Sequence, residues 1–167
     1  MRILGIDPGY GRTGYGVVDL IGNRLKPVEY GCVETKPNTP IPDRLVEIYG
    51  AIREIIARHK PDAMAVEQIF FAKSVTTALD VAQARGVVLL AAREAGLAVA
   101  EYTPMQVKQS VVGYGKAEKK QIQEMVRMLL GLAKIPKPDD AADGLAIAIT
   151  HAHTAPLQSL AERKLKQ

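Results

Sequence analysis

Hydrophobic and polar residues follow strand-like patterns over the first 34 residues of the chain. The pattern predicts a buried strand at Arg2–Asp7 and two further strands at residues 15–19 and 28–34. Turn-forming pairs, Pro8-Gly9 and Gly22-Asn23, separate these stretches. Because the connections are short, the three strands are expected to pair as antiparallel hairpins.

After a proline-rich linker at residues 37–42, helical and strand-like patterns alternate along the chain. Helices are predicted at 43–59, 74–95, 104–112, 117–130 and 139–153, and strands at 63–67 and 97–101. This order predicts one α/β domain at residues 1–155, in which helices flank a mixed five-stranded sheet. The remaining polar residues, 156–167, are expected to form a frayed tail.

The composition is typical of one soluble domain. Of the 167 residues, 47% are hydrophobic and 24% are charged, and no apolar run is long enough to cross a membrane. The N-terminus lacks a signal-peptide pattern, and a single cysteine, Cys32, excludes an internal disulfide. Cys32 is expected to be a small buried hydrophobic residue on a strand. These features predict a cytoplasmic protein without membrane contact.

The net charge of +4 is distributed unevenly along the chain. Basic and acidic residues cancel over residues 1–67, whereas residues 68–138 contain ten basic and five acidic side chains. A basic middle segment beside acidic residues indicates a polyanionic partner. The alternative is that these basic side chains belong to solvated helix faces.

Two carboxylates follow apolar runs that are expected to be neighbouring strands. Asp7 ends the first strand and Glu67 ends the fourth. Ligands of open α/β sheets bind beyond the ends of such strands, and an isolated buried carboxylate is costly. The alternative is that each acid caps a strand or lies in a turn.

The last predicted helix supplies two more acids, Asp140 and Asp143, which share one helix face because they are three residues apart. Asp139 is expected to cap the helix, and Asp140 could do the same. Acids without a His/Cys cluster suit Mg²⁺ or Mn²⁺, and a carboxylate cage beside basic residues suits phosphodiester hydrolysis with two metal ions. His151 and His153 are expected at the surface or the edge of the core, with the edge of the site as the alternative.

Residues 9–14 match the dinucleotide-binding pattern G-x-G-x-x-G. That fingerprint must open a helix after its strand. Residues 15–19 alternate like a strand instead, so the match fails on context.

Six segments occur in order over residues 1 to about 153: GIDPG at Asp7, VEQIFF at Glu67, QARG, MQVKQ, VGYGKAEK and DAADGLAIAITH. Together they resemble the RuvC family of crossover junction endodeoxyribonucleases, in the ribonuclease-H-like superfamily. The resemblance implies a ribonuclease-H-like fold and a homodimer, with the helix at 74–95 in the dimer contact. It also implies symmetric nicking of two opposing strands of a four-way Holliday junction, leaving 5′-phosphate and 3′-hydroxyl ends, in DNA recombination and repair.

The resemblance also assigns the site residues. Asp7, Glu67, Asp140 and Asp143 would hold two Mg²⁺ ions per subunit, with Mn²⁺ able to substitute. Asp7 would bridge the ions, and Asp140 would be either the more replaceable ligand or a general base. The family partner is the RuvA–RuvB branch-migration complex.

The DNA contacts implied by the resemblance include an aromatic and several basic residues. Phe70 would stack on unpaired bases. The alternatives are that Phe70 is an ordinary core residue or that the adjacent Phe71 stacks on the bases instead. The glycines after Asp7 would let a DNA backbone approach closely. The basic positions expected to contact phosphates are Lys108 and Lys119, extended by Arg12, Lys73, Lys116 and Lys120.

Three other functions are compatible with parts of this pattern. Sugar kinases and actin-like ATPases share a similar strand–Asp–Gly hairpin, but they need two such domains, and 167 residues have room for one. A related nuclease could act on RNA or simple duplexes. A non-catalytic protein could bind junctions, with its acids serving only solubility.

Overall fold

The computed structural model describes residues 1–68 and 75–165, excluding the side chains of residues 75–76 and 156–165. Five strands and five helices follow one another over these residues. The strands are β1 (Arg2–Asp7), β2 (Arg12–Ile21), β3 (Arg24–Glu34), β4 (Ala63–Glu67) and β5 (Ala98–Tyr102). The helices are α1 (Ile41–His59), α2 (Val75–Glu94), α3 (Pro104–Val112), α4 (Lys119–Leu129) and α5 (Asp139–Leu165).

The strands form one sheet in the order β3-β2-β1-β4-β5. The first three strands pair as antiparallel hairpins, while β4 is parallel to both β1 and β5. The predicted mixed five-stranded sheet is confirmed, as is the predicted contact between the first and fourth strands. β1 therefore lies in the centre of the sheet, with the antiparallel strand β2 on one side and the parallel strand β4 on the other.

Several boundaries differ from the sequence prediction. β2 runs from Arg12 to Ile21 and β3 begins at Arg24, because the two strands pair from Arg12–Glu34 down to Ile21–Arg24 beside the turn at Gly22. The turn end of this hairpin is exposed, so hydrophobic alternation does not mark it. The strand that follows Gly11 confirms the rejection of the dinucleotide fingerprint.

The helices differ mainly at their ends. α1 begins two residues earlier than predicted and has Pro42 in its first turn, where its missing N–H is not needed. α5 continues to Leu165, twelve residues beyond the predicted end at residue 153. The fraying of residues 156–167 stays a prediction. Cys32 lies on β3 as expected but is only half-buried, and burial raises the pKa of its thiol to about 11.

Alternating strand residues divide the core between the two faces of the sheet. On β1, Ile3 packs on the side of α3, α4 and α5, whereas Leu4 and Ile6 pack against α1 and α2. Successive strand residues point to opposite faces. Asp7 therefore shares the α5 side of the sheet with Ile3 and Gly5.

Glycines allow α5 to lie directly on the backbones of β1 and β2. A Cβ atom at Gly5 would overlap the Gly144 carbonyl oxygen and the Ala148 nitrogen. A Cβ at Gly16 would lie 2.7 Å from the Leu145 Cα, and one at Gly144 would lie 2.6 Å from the Tyr15 Cα. No side chain larger than hydrogen fits at these crossings without moving the helix.

This packing corrects one sequence expectation. The sequence predicts that the glycines after Asp7 leave space for a DNA backbone, but two of them, Gly14 and Gly16, are buried. A Cβ at Gly14 would overlap the Asp140 carbonyl oxygen, so α5 occupies the space above these two residues. The expectation is therefore wrong at Gly14 and Gly16.

We predict that Gly5→Ala lowers the free energy of unfolding by about 3 kcal/mol or more, because the new methyl group must displace the backbone of α5. Gly50→Ala is the matched control, since no described atom outside its own helix turn lies within 4 Å of a Cβ there. That change should be neutral or stabilise α1 by up to about 1 kcal/mol. Urea unfolding followed by circular dichroism measures both. Equal stability of the two variants would contradict the close-packing interpretation.

Candidate active site

A pocket of about 270 Å³ opens where β1, β4, α3, α4 and α5 meet. Three of the four predicted acids line it. Its wall is otherwise formed by apolar residues and two lysines. The lining residues are Asp7, Glu67, Pro104, Val107, Lys108, Lys119, Ile122, Asp143 and Ala146.

The strand register brings Asp7 and Glu67 together. Ile6 pairs with Val66 in the parallel ladder between β1 and β4, so the acids that follow end adjacent strands at the same edge. Partners in parallel strands point to the same face. Both carboxylates therefore lie on the side of the sheet that α5 covers.

α5 brings Asp143 to these two acids. Asp143 precedes Gly144, whose backbone lies against Tyr15 of β2. Close contact between the helix and strand backbones therefore places Asp143 at the end of β1. The glycine contacts of the fold thus also determine the position of Asp143 in the pocket.

Asp140 lies at the edge of this group. Its carboxylate is half-buried and 3.9 Å from the Arg12 guanidinium, which is also 3.4 Å from Glu34. Asp140 is close enough to raise the pKa of Asp7, although it does not line the pocket. Asp140 and Arg12 therefore lie beside each other at the edge of the acid group.

Burial and mutual repulsion disfavour ionisation of the pocket acids. Burial, followed by the charges of Glu67 and Asp143, raises the pKa of Asp7 well above its usual range. Burial and the charge of Asp143 raise the pKa of Glu67 from 4.5 to about 7, against the opposing effect of its hydrogen bond with Asp7 and of the nearby lysines. Burial also raises the pKa of Asp143. The pocket therefore contains more negative charge than its surroundings compensate.

Lys119 supplies part of the compensating charge. Its Nζ lies 3.2 Å from Asp143 Oδ2 and 3.9 Å from Asp139 Oδ2. The sequence predicted Lys119 as a DNA contact but gave no signal of its ion pair with Asp143, because the two residues lie on different helices. Lys108 lines the pocket as well, and Lys116 is exposed in the loop between α3 and α4.

Asp139 differs from the pocket acids. It begins α5 and lies 2.7 Å from the Lys137 ammonium, and this hydrogen bond lowers the pKa of its carboxyl. Its position at the helix N-terminus agrees with the sequence assignment.

The donor set suits a hard divalent cation. It consists of carboxylate oxygens, which Mg²⁺ and Mn²⁺ prefer, and their mutual repulsion would be relieved by positive charge. Within residues 1–68 and 75–165, no three His, Cys, Asp or Glu side chains form a ready-made metal cage. The acids that fit the cation are therefore grouped around one pocket but do not form a closed coordination shell.

The remaining sequence candidates fall in different places. His153 is exposed, whereas His151 is buried against Tyr102, in the core rather than at the pocket. Phe70, Phe71 and Lys73 lie outside the described residues. Among the described helices, none has the length and apolar character needed to cross a bilayer.

A family model and curated relatives match nearly the whole chain. The family model described as crossover junction endodeoxyribonuclease RuvC matches residues 3–151. A protein of that name from Brevibacillus brevis is 57% identical over 162 residues, which are 97% of this chain and 98% of the relative.

Solved structures agree with the sequence match. The structure of Thermus thermophilus RuvC superimposes with a TM-score of 0.88 at 42% identity, covering 95% of this chain and 97% of that one. The same protein in complex with a Holliday junction substrate gives a TM-score of 0.90 at 42% identity, covering 95% and 96%. The predicted ribonuclease-H-like fold is confirmed by these matches.

We predict that, without divalent cations, Glu67 contributes a loss of stability as the pH rises from about 4.5 to 7. In this range the Glu67 carboxyl keeps its proton in the folded state but loses it in the unfolded state, because its pKa is raised from 4.5 to about 7 on folding. Glu67→Gln should therefore stabilise the protein at pH 8, by on the order of 1 kcal/mol, and flatten this pH dependence.

Urea unfolding in EDTA at several pH values tests this prediction. Glu54→Gln, which removes an exposed carboxylate from α1, is the control and should keep the parent's pH dependence. An unchanged slope in Glu67→Gln would contradict the raised pKa.

Proposed function

The chain belongs to the RuvC family of crossover junction endodeoxyribonucleases, and we propose that it resolves Holliday junctions by metal-dependent hydrolysis of DNA. The observation that carries the proposal is the pocket in which Asp7, Glu67 and Asp143 crowd together beside Lys108 and Lys119. Support comes from the junction-bound T. thermophilus relative, which matches this chain over nearly its whole length.

The acids Asp7, Glu67, Asp140 and Asp143 would hold two Mg²⁺ ions per subunit, and Mn²⁺ could substitute. When bound, such ions activate water and stabilise the leaving oxygen of a phosphodiester. Asp7 is the best candidate for a shared ligand, because it ends the central strand between Glu67 and α5. Asp140, at the pocket edge beside Arg12, would act as the more replaceable ligand or as a general base.

The basic residues would hold the DNA backbone over these acids. With Asp143 acting as a ligand, the Lys119 ammonium would be available to bind a phosphate. Lys108 enters the same pocket from α3, and Lys116 and Arg12 would extend the contact on either side. This arrangement would place one phosphodiester at the acids, while the basic side chains neutralise the neighbouring phosphates of the DNA backbone.

We also propose a homodimer that nicks two opposing strands symmetrically. A two-fold dimer presents two identical sites to a junction that is itself nearly two-fold. Support comes from α2, which exposes Leu79 and Leu90 at an eleven-residue spacing that places them on one helix face. Val46 of the neighbouring helix α1 is also exposed, so this layer offers apolar surface for a second subunit.

The family resemblance supplies the rest of this proposal. The products would be 5′-phosphate and 3′-hydroxyl ends that can be ligated, in recombination and repair in the cytoplasm. The RuvA–RuvB complex would be the branch-migration partner. Phe70 would stack on an unpaired base at the crossover, which stays a prediction because Phe70 lies outside the described residues.

The first test is Asp7→Asn assayed on a synthetic four-way junction with Mg²⁺. We expect nicking to fall by at least about 100-fold, because a neutral side chain weakens metal binding, while junction binding and the fold are retained. Removal of the metal with EDTA should abolish nicking by the parent.

The control is Asp62→Asn, which alters a carboxylate at the opposite end of the parallel strands, hydrogen-bonded to the Arg2 backbone. It should nick at close to the parent rate. Retained cleavage by Asp7→Asn would refute the metal-site proposal.

Lys108→Gln and Lys119→Gln test the DNA contacts. Each lost phosphate contact should reduce the slope of log binding constant against log salt by roughly 0.9. Junction binding measured from low to moderate salt gives this slope. Lys26→Gln, at the far end of the β2–β3 hairpin, should leave it unchanged. Slopes equal to the parent's in all three variants would assign Lys108 and Lys119 to the solvated surface.

A further inference from the structure

Tyr102 and His151 form a buried polar pair that the proposed chemistry does not use. Their exposed fractions are 4% and 7%. The Tyr102 hydroxyl lies 2.8 Å from His151 Nδ1, and the two rings meet edge-on with centroids 6.0 Å apart. The pair joins residues 49 positions apart, at the end of β5 and within α5.

The backbone of Tyr102 holds the end of the strand that carries Glu67. Tyr102 is the register partner of Glu67 in the parallel ladder between β4 and β5. Its carbonyl oxygen also accepts a hydrogen bond of 2.8 Å from the Gln68 N–H. Because register partners in parallel strands share a face, the Tyr102 side chain lies next to Glu67 on the α5 side of the sheet.

The same residue precedes the helix that carries Lys108. Thr103 caps α3 by accepting a hydrogen bond from the Gln106 N–H, while the Gln106 side chain accepts one from the Thr103 N–H. Pro104, at the first turn of α3, lines the acidic pocket. The end of β5 therefore connects directly to two walls of the site.

His151 lies on α5, the helix that forms the third wall of the pocket. It follows Asp143 by about two turns of α5, and Ala146 between them lines the pocket. The Tyr102–His151 hydrogen bond consequently links the elements that carry Glu67, Lys108 and Asp143. Within the described sheet, β5 is an edge strand whose only neighbouring strand is β4. The hydrogen bond to α5 therefore restrains the end of β5 from a second direction.

We propose that Tyr102 and His151 are positioning residues, whose hydrogen bond sets the separation between Glu67 and Asp143 and thereby the affinity of the pocket for a divalent cation. The inference rests on the proposed metal site. A hydrogen bond fixes distance and direction, whereas two apolar side chains of similar shape would contribute comparable stability without that geometric restraint.

The test measures Mn²⁺ affinity of the full chain without DNA, by electron paramagnetic resonance of free Mn²⁺. Tyr102→Phe removes only the hydroxyl, and we expect affinity to fall on the order of tenfold. His151→Leu should cause a similar loss, and the double variant should be no weaker than either single variant, because both changes remove the same bond.

Two further variants separate positioning from general packing. His151→Asn can place an amide near the position of Nδ1 and should retain most of the affinity. Ser110→Ala removes the hydroxyl that lies 3.3 Å from His153 Nδ1, a similar but exposed bond between α3 and α5, and should leave affinity unchanged. Thermal unfolding of each variant confirms that binding is measured on folded protein. If Tyr102→Phe does not fold, the double variant that combines Tyr102→Phe with His151→Leu is measured in its place.

Asp7→Asn separates failure of this inference from failure of the proposed function. If Asp7→Asn loses Mn²⁺ affinity while folded Tyr102→Phe, or its double-variant replacement, binds as the parent does, the positioning role is refuted and the metal site stands. If Asp7→Asn binds Mn²⁺ as tightly as the parent, the metal site and the positioning role are both refuted.

Discussion

Direct contact between the backbone of α5 and the backbones of β1 and β2 is the constraint on which the site depends. Hydrogen atoms at Gly5, Gly16 and Gly144 occupy positions where methyl groups would overlap the opposing element. A helix normally packs on a sheet through side chains, which hold the two backbones further apart. Here glycines replace those side chains, so α5 lies close to the sheet and Asp143 lies near the end of the strand that carries Asp7. Fold and site are therefore set by the same contact.

Much of this arrangement could be predicted from local patterns. Asp7 and Glu67 each follow a short apolar run, and the order of hairpins, strands and helices placed their strands side by side. The three-residue spacing of Asp140 and Asp143 gave them one helix face. The structure brings Asp7, Glu67 and Asp143 to one pocket and Asp140 to its edge. These predictions needed only strand ends and helix periodicity.

The contacts that the sequence did not predict all join distant segments. From sequence alone, Gly14 cannot be distinguished from a glycine in a turn, because its contact with the Asp140 backbone is made with a distant segment. The Lys119–Asp143 ion pair depends on the angle between α4 and α5, and the Tyr102–His151 bond depends on where α5 crosses the edge of the sheet. Periodicity shows which face of an element is buried, but it does not show which residue of another element lies opposite.

The charge of the pocket opposes the stability of the fold. The pKa values of Asp7, Glu67 and Asp143 are raised, so ionising these groups is harder in the folded chain than in the unfolded one. An apolar pocket of the same shape would avoid this cost, and the tight packing of α5 must offset it. Because a ligand that binds only the folded state adds to stability, a divalent cation would stabilise the fold while relieving the repulsion. Cation binding and folding stability are therefore expected to be coupled through the same three carboxylates.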